Sequence, residues 1–149
     1  MQDLEVLPHV TFFNGNVFSS ADIRRSIVGI SGELNIPVMQ IKQIKVITFT
    51  SQAIKEGLVV GNHKHYGKSG QWEIIIVLDE DRNSELFHFR YRNYNSTIQE
   101  RKLYAGDVVA VPPGCSLGLV SVAENATLIE ISNQEYRASN YISDMLFES

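Results

Sequence analysis

A succession of short β-patterned segments, separated by turn signals, constrains the fold of this chain more than any other feature. Residues 72–78 are nearly all apolar, as in a strand covered on both faces, and residues 85–94 alternate between apolar and polar side chains. Further strands are predicted over residues 9–13, 108–111, 117–122 and 127–132. Many short strands at near-regular spacing favour an antiparallel sandwich or a jelly-roll barrel, and hence an all-β fold.

The segment from Met39 to Thr50 also alternates, but its apolar side chains change phase partway along. Met39 and Ile41 fall on one face of an extended chain. Ile44 and Val46 fall on the other. A phase change of this kind predicts a β-bulge or a break in the strand. Helical patterns are confined to short segments at residues 20–25, 51–56 and, towards the C-terminus, 140–147.

The length and the net charge of the chain limit the kinds of partner that the protein can have. The 149 residues suit a single domain spanning residues 1–149, with one substantial core. The net charge of -4 gives no general attraction to nucleic acid or to anionic membranes, and no apolar stretch approaches membrane-spanning length. The N-terminal residues lack a signal-peptide pattern, and the single cysteine, Cys115, fits a reducing compartment. We therefore expect a cytoplasmic protein whose partner is a small molecule, with no nucleic acid and no membrane.

Two of the four histidines, His63 and His65, are separated by one residue. If this segment is extended, the side-chain period of two places both imidazoles on one face. Glu73 begins the apolar segment that follows and alternates with apolar residues of that segment, which indicates an inward-facing carboxylate. The alternative is a carboxylate at the mouth of the strand, in contact with water. Two imidazoles and a carboxylate that meet inside a small β-fold could bind a divalent metal or transfer protons.

At these positions the sequence resembles the cupin superfamily. The first cupin motif is glycine, five residues, histidine, one residue, histidine and, after a gap, glutamate. It is matched by Gly57, His63, His65 and Glu73, with a longer gap than usual, in which Gln71 is a rival for the glutamate position. The second motif is matched by Gly106, Pro112 and Gly114, but Leu117 occupies its histidine position. The resemblance implies a single-domain cupin jelly-roll, or double-stranded β-helix, that forms a homodimer.

Three segments are similar to the nucleotide-sugar branch of the cupins, which contains deoxysugar 3,5-epimerases and 3,4-ketoisomerases. They are residues 22–27, residues 60–65 and residues 136–144. This resemblance implies an isomerase or epimerase of a dTDP- or UDP-linked 4-keto-6-deoxy sugar, in the synthesis of surface polysaccharides. The reaction needs a base that removes a proton beside the carbonyl and an acid that returns one, and histidine suits both near neutral pH.

The resemblance also implies which residues carry the proton transfer. His63 or His65 is the expected base. The expected partner is the second histidine or a tyrosine, for which Tyr66 is the first candidate and Tyr91 and Tyr104 are the alternatives. This interpretation requires no cofactor.

The diphosphate of such a substrate is strongly anionic, and guanidinium groups match phosphate oxygens. The expected substrate-binding residues are Arg24, Arg90, Arg92, Lys102 and Gln71. Alternation places Arg90 and Arg92 beside His88 on one face of their strand. It does not decide whether that face points into the barrel or away from it.

Two other functions stay open on the sequence alone. His63, His65 and Glu73 could bind zinc, iron, manganese or nickel in a metal-dependent cupin enzyme. Leu117 places an apolar group where the fourth ligand is expected. The other interpretation is a non-enzymatic cupin that holds a small ligand beside a degenerate metal site.

Overall fold

The structure, a computed structural model, describes residues 7–13, 15–16, 29–30, 40–78 and 83–148. Arg24 and the patterns at residues 20–25 and 22–27 lie outside the described residues. The strands are β1 (Thr11–Phe13), β2 (Gly15–Asn16), β3 (Gly29–Ile30), β4 (Gln43–Thr48), β5 (Val60–His65), β6 (Glu73–Leu78), β7 (Phe87–Arg92), β8 (Gln99–Leu103), β9 (Val108–Val111), β10 (Ser116–Ser121), β11 (Thr127–Ser132) and β12 (Tyr141–Ser143). The helices are α1 (Ser51–Lys55) and two short 3-10 helices, Gly67–Ser69 and Ala138–Asn140. No helix in the described ranges is long and apolar enough to cross a membrane.

The strands form two five-stranded antiparallel sheets and one two-stranded sheet. The first large sheet has the order β1-β9-β6-β11-β4, and the second has the order β12-β5-β10-β7-β8. From β4 onward most consecutive strands alternate between the two large sheets, as they do in a jelly roll. The prediction of an all-β jelly-roll fold is confirmed.

Apolar side chains from the inner faces of the two large sheets pack together as one core. Ile75 and Val77 of the first sheet are fully buried, as are Phe87, Phe89 and Leu117 of the second. The strand predictions at residues 72–78, 85–94, 108–111, 117–122 and 127–132 are confirmed by β6, β7, β9, β10 and β11. Burial of these β-branched and aromatic residues stabilises the closed pair of sheets.

The inner faces change from apolar to polar towards one end of the barrel. On β6 the inward side chains run from Val77 through Ile75 to Glu73. On the neighbouring strand β11 they run from Leu128 to Glu130. This polar end of the interior is where the functional candidates collect.

The short helix predicted at residues 51–56 is confirmed by α1. The preceding residue, Thr50, is extended, and its hydroxyl oxygen accepts a hydrogen bond from the N–H of Ala53. This side-chain bond satisfies one of the N–H groups that the first turn of a helix leaves free.

The prediction of a helix at residues 140–147 is wrong. After the second 3-10 helix the chain forms β12, which pairs with the edge of β5 and then continues over the outer face of that sheet. The side-chain oxygen of Asn62 accepts hydrogen bonds from the N–H groups of Leu146 and Phe147, and its amide donates to the carbonyl of Phe147. Tertiary hydrogen bonds therefore outweigh a weak local helix propensity.

In β4 the apolar side chains of Ile44 and Val46 face away from the core, whereas that of Ile47 packs against it. Ile44 and Val46 are 62% and 67% exposed, whereas Lys45 between them lies opposite the buried Glu130. β4 pairs with β11 without a shift, and Ile41 precedes the strand. The predicted phase change is therefore a break before β4 begins, and Met39 lies outside the described residues.

A β-bulge does occur between β5 and β10, directly before His63. The pairing shifts between Leu117 and Gly118, opposite Asn62, which has a φ of 54°. Gly61 has a φ of 95°, and a Cβ there would lie 2.7 Å from the carbonyl oxygen of Leu117. Only glycine fits this close approach, and the bulge turns the end of β5 that carries the histidines.

Candidate active site in the barrel interior

The two large sheets bring together the side chains of His63, His65 and Glu73. One ligand atom from each residue lies within 4.8 Å of the others. His65 has no exposed surface, Glu73 is 5% exposed, and His63 is partly exposed. Both imidazoles thus project from the same side of β5, and they meet the carboxyl group of Glu73 at the start of β6.

The imidazole of His63 is held in one tautomer. Its Nδ1 donates a hydrogen bond to the carbonyl oxygen of Gly61 over 3.1 Å, so the lone pair resides on Nε2. That Nε2 is buried and has no hydrogen-bond partner. Burial lowers the pKa of His63 below its ordinary value, against the effect of the bond to Gly61, and the charge of Lys45 lowers it further. His63 therefore presents a neutral, unpartnered basic nitrogen.

His65 and Glu73 lie against each other in the interior. The Nε2 of His65 is 3.5 Å from the Oε2 of Glu73, and neither atom has a hydrogen-bond partner. Burial lowers the pKa of His65 to about 3, and electrostatic effects of the neighbouring His63 and of Lys45 act in the same direction. An imidazole in this setting stays neutral over the physiological pH range.

The pKa of the Glu73 carboxyl group is raised, which favours its protonated form. Burial raises its pKa well above the ordinary value, and so do the charge of Glu130 and a hydrogen bond shared with that residue, while Lys45 acts in the opposite direction. The contact between Glu73 and His65 is therefore a neutral pair and not an ion pair. A proton can pass along this contact without creating an isolated buried charge.

Sequence reasoning missed Lys45 and Glu130, which lie opposite each other on β4 and β11. The Nζ of Lys45 is 3.9 Å from the Oε2 of Glu130, and the side chain of Glu130 is 6% exposed. The sequence pattern that bears on the orientation of the Lys45 side chain is its alternation with Ile44 and Val46. Because apolar residues of a strand usually face the core, that alternation predicted the opposite orientation.

Sequence reasoning also missed Tyr141, which the C-terminal strand β12 delivers to the site. Its ring centroid lies 4.7 Å from that of His63 and 5.0 Å from that of His65. β12 pairs with β5 so that Tyr141 is opposite His65. The sequence feature that could have identified Tyr141 is the similarity of residues 136–144 to the nucleotide-sugar branch. That similarity alone did not distinguish Tyr141 from its neighbours.

Gln71 points inward, as Glu73 does two residues later. Gln71 is 1% exposed, and its amide nitrogen donates hydrogen bonds to the hydroxyl of Ser132 over 3.1 Å and to that of Tyr141 over 3.4 Å. Asn140 donates to its amide oxygen. Gln71 therefore fixes the position of Tyr141, and it is not a rival of Glu73, because both side chains enter the interior.

The three tyrosines singled out from the sequence lie elsewhere. Tyr66 follows the end of β5 and is 45% exposed, and in the described part of the chain the ring that contacts the imidazoles is that of Tyr141. Tyr91 stacks on Phe89 with ring centroids 5.8 Å apart, and its hydroxyl donates to Gln99. Tyr104 begins the turn before β9.

The predicted phosphate-binding arginines lie on the outer face of the second sheet, opposite to the imidazoles. Arg92 donates to the carboxylate of Asp144, and Arg90 donates to the carbonyl of Leu146 and lies over the ring of Phe147 at 4.4 Å. Lys102 and His88 pair on the same outer face. The structure therefore does not bring these cations to the histidine cluster, and the orientation that the sequence left open is outward.

The three donors of the cluster fit a divalent metal in part. Three protein ligands are the minimum for a catalytic metal site, and the buried nitrogens of both histidines and the Oε2 of Glu73 have no other partner. The fourth cupin position is filled by Leu117, which is fully buried and pairs with His63. The ammonium of Lys45 also opposes a cation. The arrangement therefore offers a divalent metal three protein ligands, His63, His65 and Glu73, and no fourth from position 117.

No family model and no curated protein matches this sequence. Solved structures of the same fold do match. A point mutant of the 3,4-ketoisomerase QdtA from Thermoanaerobacterium thermosaccharolyticum, in complex with TDP-4-keto-6-deoxyglucose, is 16% identical, with a TM-score of 0.65 over 92% of this chain and 88% of that one. The chain has the cupin jelly-roll fold.

Two further cupins illustrate the range of structures that share this fold. A 3,4-ketoisomerase from Helicobacter canadensis is 16% identical, with a TM-score of 0.65 over 91% of this chain and 90% of that one. The 3'-monoepimerase ChmJ from Streptomyces bikiniensis, in complex with dTDP-quinovose, is 14% identical, with a TM-score of 0.66 over 96% of this chain and 72% of that one. Identities this low establish the cupin fold alone.

The neutral state of His65 predicts a loss of stability in acid. Between pH 6.5 and about pH 3 the unfolded chain binds a proton at residue 65 and the folded chain does not, so stability falls as the pH falls. From pH 7 to pH 5 we expect wild type to lose about 2 kcal/mol more of its free energy of unfolding than His65→Asn. Urea titrations of EDTA-treated protein measure this difference.

His9→Asn serves as the control for the loss of an imidazole, because His9 is exposed. Equal losses in wild type and His65→Asn between the two pH values would contradict a neutral, buried His65.

Proposed function

We propose that this protein is an isomerase or epimerase of a nucleotide-linked 4-keto-6-deoxy sugar, and that a histidine carries the proton transfer. The proposal rests on the tautomer of His63 and on the free lone pair of its second ring nitrogen. Its Nδ1 is fixed by Gly61, and its Nε2 offers an unpartnered lone pair inside the barrel. The proposal is supported by the fold, which the chain shares with ketoisomerases and epimerases of TDP-linked sugars.

The proposed reaction begins at the carbon next to the sugar carbonyl. A proton passes from this carbon to the Nε2 of His63, the C–H electron pair forms a C=C bond, and the carbonyl π pair moves to oxygen as an enolate. Reprotonation of the same carbon gives an epimer. Reprotonation of the former carbonyl carbon, with transfer of the neighbouring hydroxyl proton to the former carbonyl oxygen, gives the isomeric ketone.

The contact between His65 and Glu73 is the proposed route for returning a proton. His65 gives up the proton on its ring and takes one from the protonated Glu73, so the imidazole stays neutral throughout. The hydroxyl of Tyr141, which contacts both imidazoles through its ring, is the neighbouring alternative. We place this activity in the cytoplasm, in the supply of deoxysugars for surface polysaccharides.

Solvent exchange tests the proposal directly. Wild-type protein incubated in deuterated water with dTDP-4-keto-6-deoxyglucose is expected to introduce deuterium next to the carbonyl, as measured by NMR and mass spectrometry. His63→Gln removes the base and is expected to slow incorporation about 10²–10⁴-fold. His88→Gln is the matched control, because His88 lies on the outer face of the sheet.

Two results would count against the proposal. One is the absence of deuterium from dTDP- and UDP-linked ketosugars with folded wild-type protein. The other is undiminished incorporation by His63→Gln.

A metal-dependent cupin enzyme is the second candidate, and it is favoured by the buried donor atoms without partners on His63, His65 and Glu73. A zinc, iron, manganese or nickel ion held by these residues would polarise a substrate carbonyl. Elemental analysis of the purified protein is expected to find at least one equivalent of such a metal if this candidate is correct. His63→Gln should then lose it, and a substoichiometric metal content in wild type would exclude the candidate.

We further propose that the protein is a homodimer that pairs through the outer face of its first sheet. In register across β4 and β11, Ile44 lies beside Ile131 and Val46 lies beside Ile129. The exposed pair on β4 extends an apolar surface whose other members are partly buried. A second copy that covers this face would remove it from water, as homodimer interfaces do.

The double variant Ile44→Lys/Val46→Lys is expected to shift the protein from dimer to monomer in analytical ultracentrifugation. Ile98→Lys is the matched control, since Ile98 is 41% exposed at a different part of the surface. A monomeric wild type, or a dimer that survives the double variant, would refute this interface.

A further inference from the structure

Lys45 occupies a position that the sequence pattern of its strand argues against. A register shifted by one residue would bury Ile44 and Val46, and it would expose Lys45 together with Ile47, which packs against the core. The observed register instead leaves both aliphatic side chains in water and directs an ammonium group towards the polar end of the barrel interior. A strand that departs from the usual pattern in this way is expected at a functional site.

Glu130 holds the lysine at the boundary between the interior and solvent. The side chain of Lys45 is 39% exposed and that of Glu130 is 6% exposed, so the ammonium remains accessible while its counter-charge is buried. The distance of 3.9 Å between Nζ and Oε2 exceeds a hydrogen bond. The three N–H donors of the ammonium are therefore not consumed by this ion pair.

The charge of Lys45 acts on each group of the histidine cluster. It opposes protonation of His63 and of His65, and it favours ionisation of Glu73. The strand register shows the same proximity, because Lys45 lies opposite Glu130, and Glu130 lies opposite Ile75, two residues from Glu73 on the same face of β6. The arginines of the second sheet cannot act in this way, because they lie on its outer face.

The proposed proton abstraction creates a negative charge on the substrate oxygen, which a nearby cation would stabilise. The inward residues beside the two histidines are apolar (Leu117 and Ile75), acidic (Glu73 and Glu130) or neutral and polar (Gln71 and Tyr141), and none of them carries a positive charge. A cation or a preorganised donor at the developing oxyanion accounts for a large part of catalysis in such reactions.

We infer that Lys45 binds the oxyanion that forms on the substrate carbonyl when His63 removes the neighbouring proton. This role rests on the proposed function. The ammonium donates a hydrogen bond to the enolate oxygen while Glu130 keeps it in place. When a proton is returned to the same carbon, the C=C pair forms the new C–H bond and the oxygen regains its double bond to carbon.

Four variants test this role with dTDP-4-keto-6-deoxyglucose in deuterated water. Lys45→Met is expected to slow deuterium incorporation about 10²–10³-fold, while its Kd for dTDP in calorimetry stays within about 2-fold of wild type. Lys45→Arg keeps the charge and is expected to recover a large part of the rate. Lys64→Met is the matched control, because Lys64 lies between the two histidines in sequence and on the opposite side of β5.

The double variant Lys45→Met/Glu130→Gln separates the proposed role from a structural one. It removes both charges, so no unpaired carboxylate is left in the interior, and it is expected to keep the melting temperature of wild type and the low rate of Lys45→Met. Recovery of the rate in the double variant would show that the ion pair is only structural, and would overturn the inference.

The remaining outcomes are also decisive. An undiminished rate for Lys45→Met, or weakened dTDP binding with an undiminished rate at saturation, would overturn the role while leaving the proposed function intact. No incorporation by wild type would overturn the proposed function, and the inference with it.

Discussion

The neutral contact between His65 and Glu73 is the interaction on which the site depends. The two residues belong to strands of opposite sheets, and closing the sheets removes both from water. Buried as isolated ions, they would each cost several kcal/mol. As an uncharged imidazole and a protonated carboxyl they can be enclosed beside the hydrophobic core. The same loss of water keeps His63 neutral, so the packing that closes this end of the barrel also leaves a basic nitrogen free for chemistry.

The outer faces of the two sheets are used in different ways. The second sheet is covered by the chain's own C-terminal residues, to which Arg90, Arg92 and Asn62 are bonded. These contacts also place β12, and with it Tyr141, beside the imidazoles. The first sheet exposes Ile44 and Val46 of β4, and the same register turns Lys45 towards Glu130. One register thus accounts for both the exposed apolar pair and the position of the lysine.

Local sequence patterns predicted the fold and one part of the site, namely His63, His65 and Glu73. The apolar spacing of β6 and β7 identified their strands, and the strand period of two predicted that His63 and His65 share a face. Lys45 was not predictable, because its neighbours in β4 argue for the opposite orientation and its partner Glu130 is distant in sequence. The C-terminal helix prediction failed for a related reason, since pairing with β5 and bonds to Asn62 decide that segment's conformation.

The protonation and tautomer of each histidine test this account most directly. In ¹⁵N-labelled, EDTA-treated protein, long-range ¹H–¹⁵N correlation spectra report the state of both ring nitrogens. The account predicts that His63 at pH 7 is neutral with its proton on Nδ1, and that His65 stays neutral on acidification until the pH approaches about 3. A His63 with its proton on Nε2, or a His65 that is charged at pH 6, would contradict it.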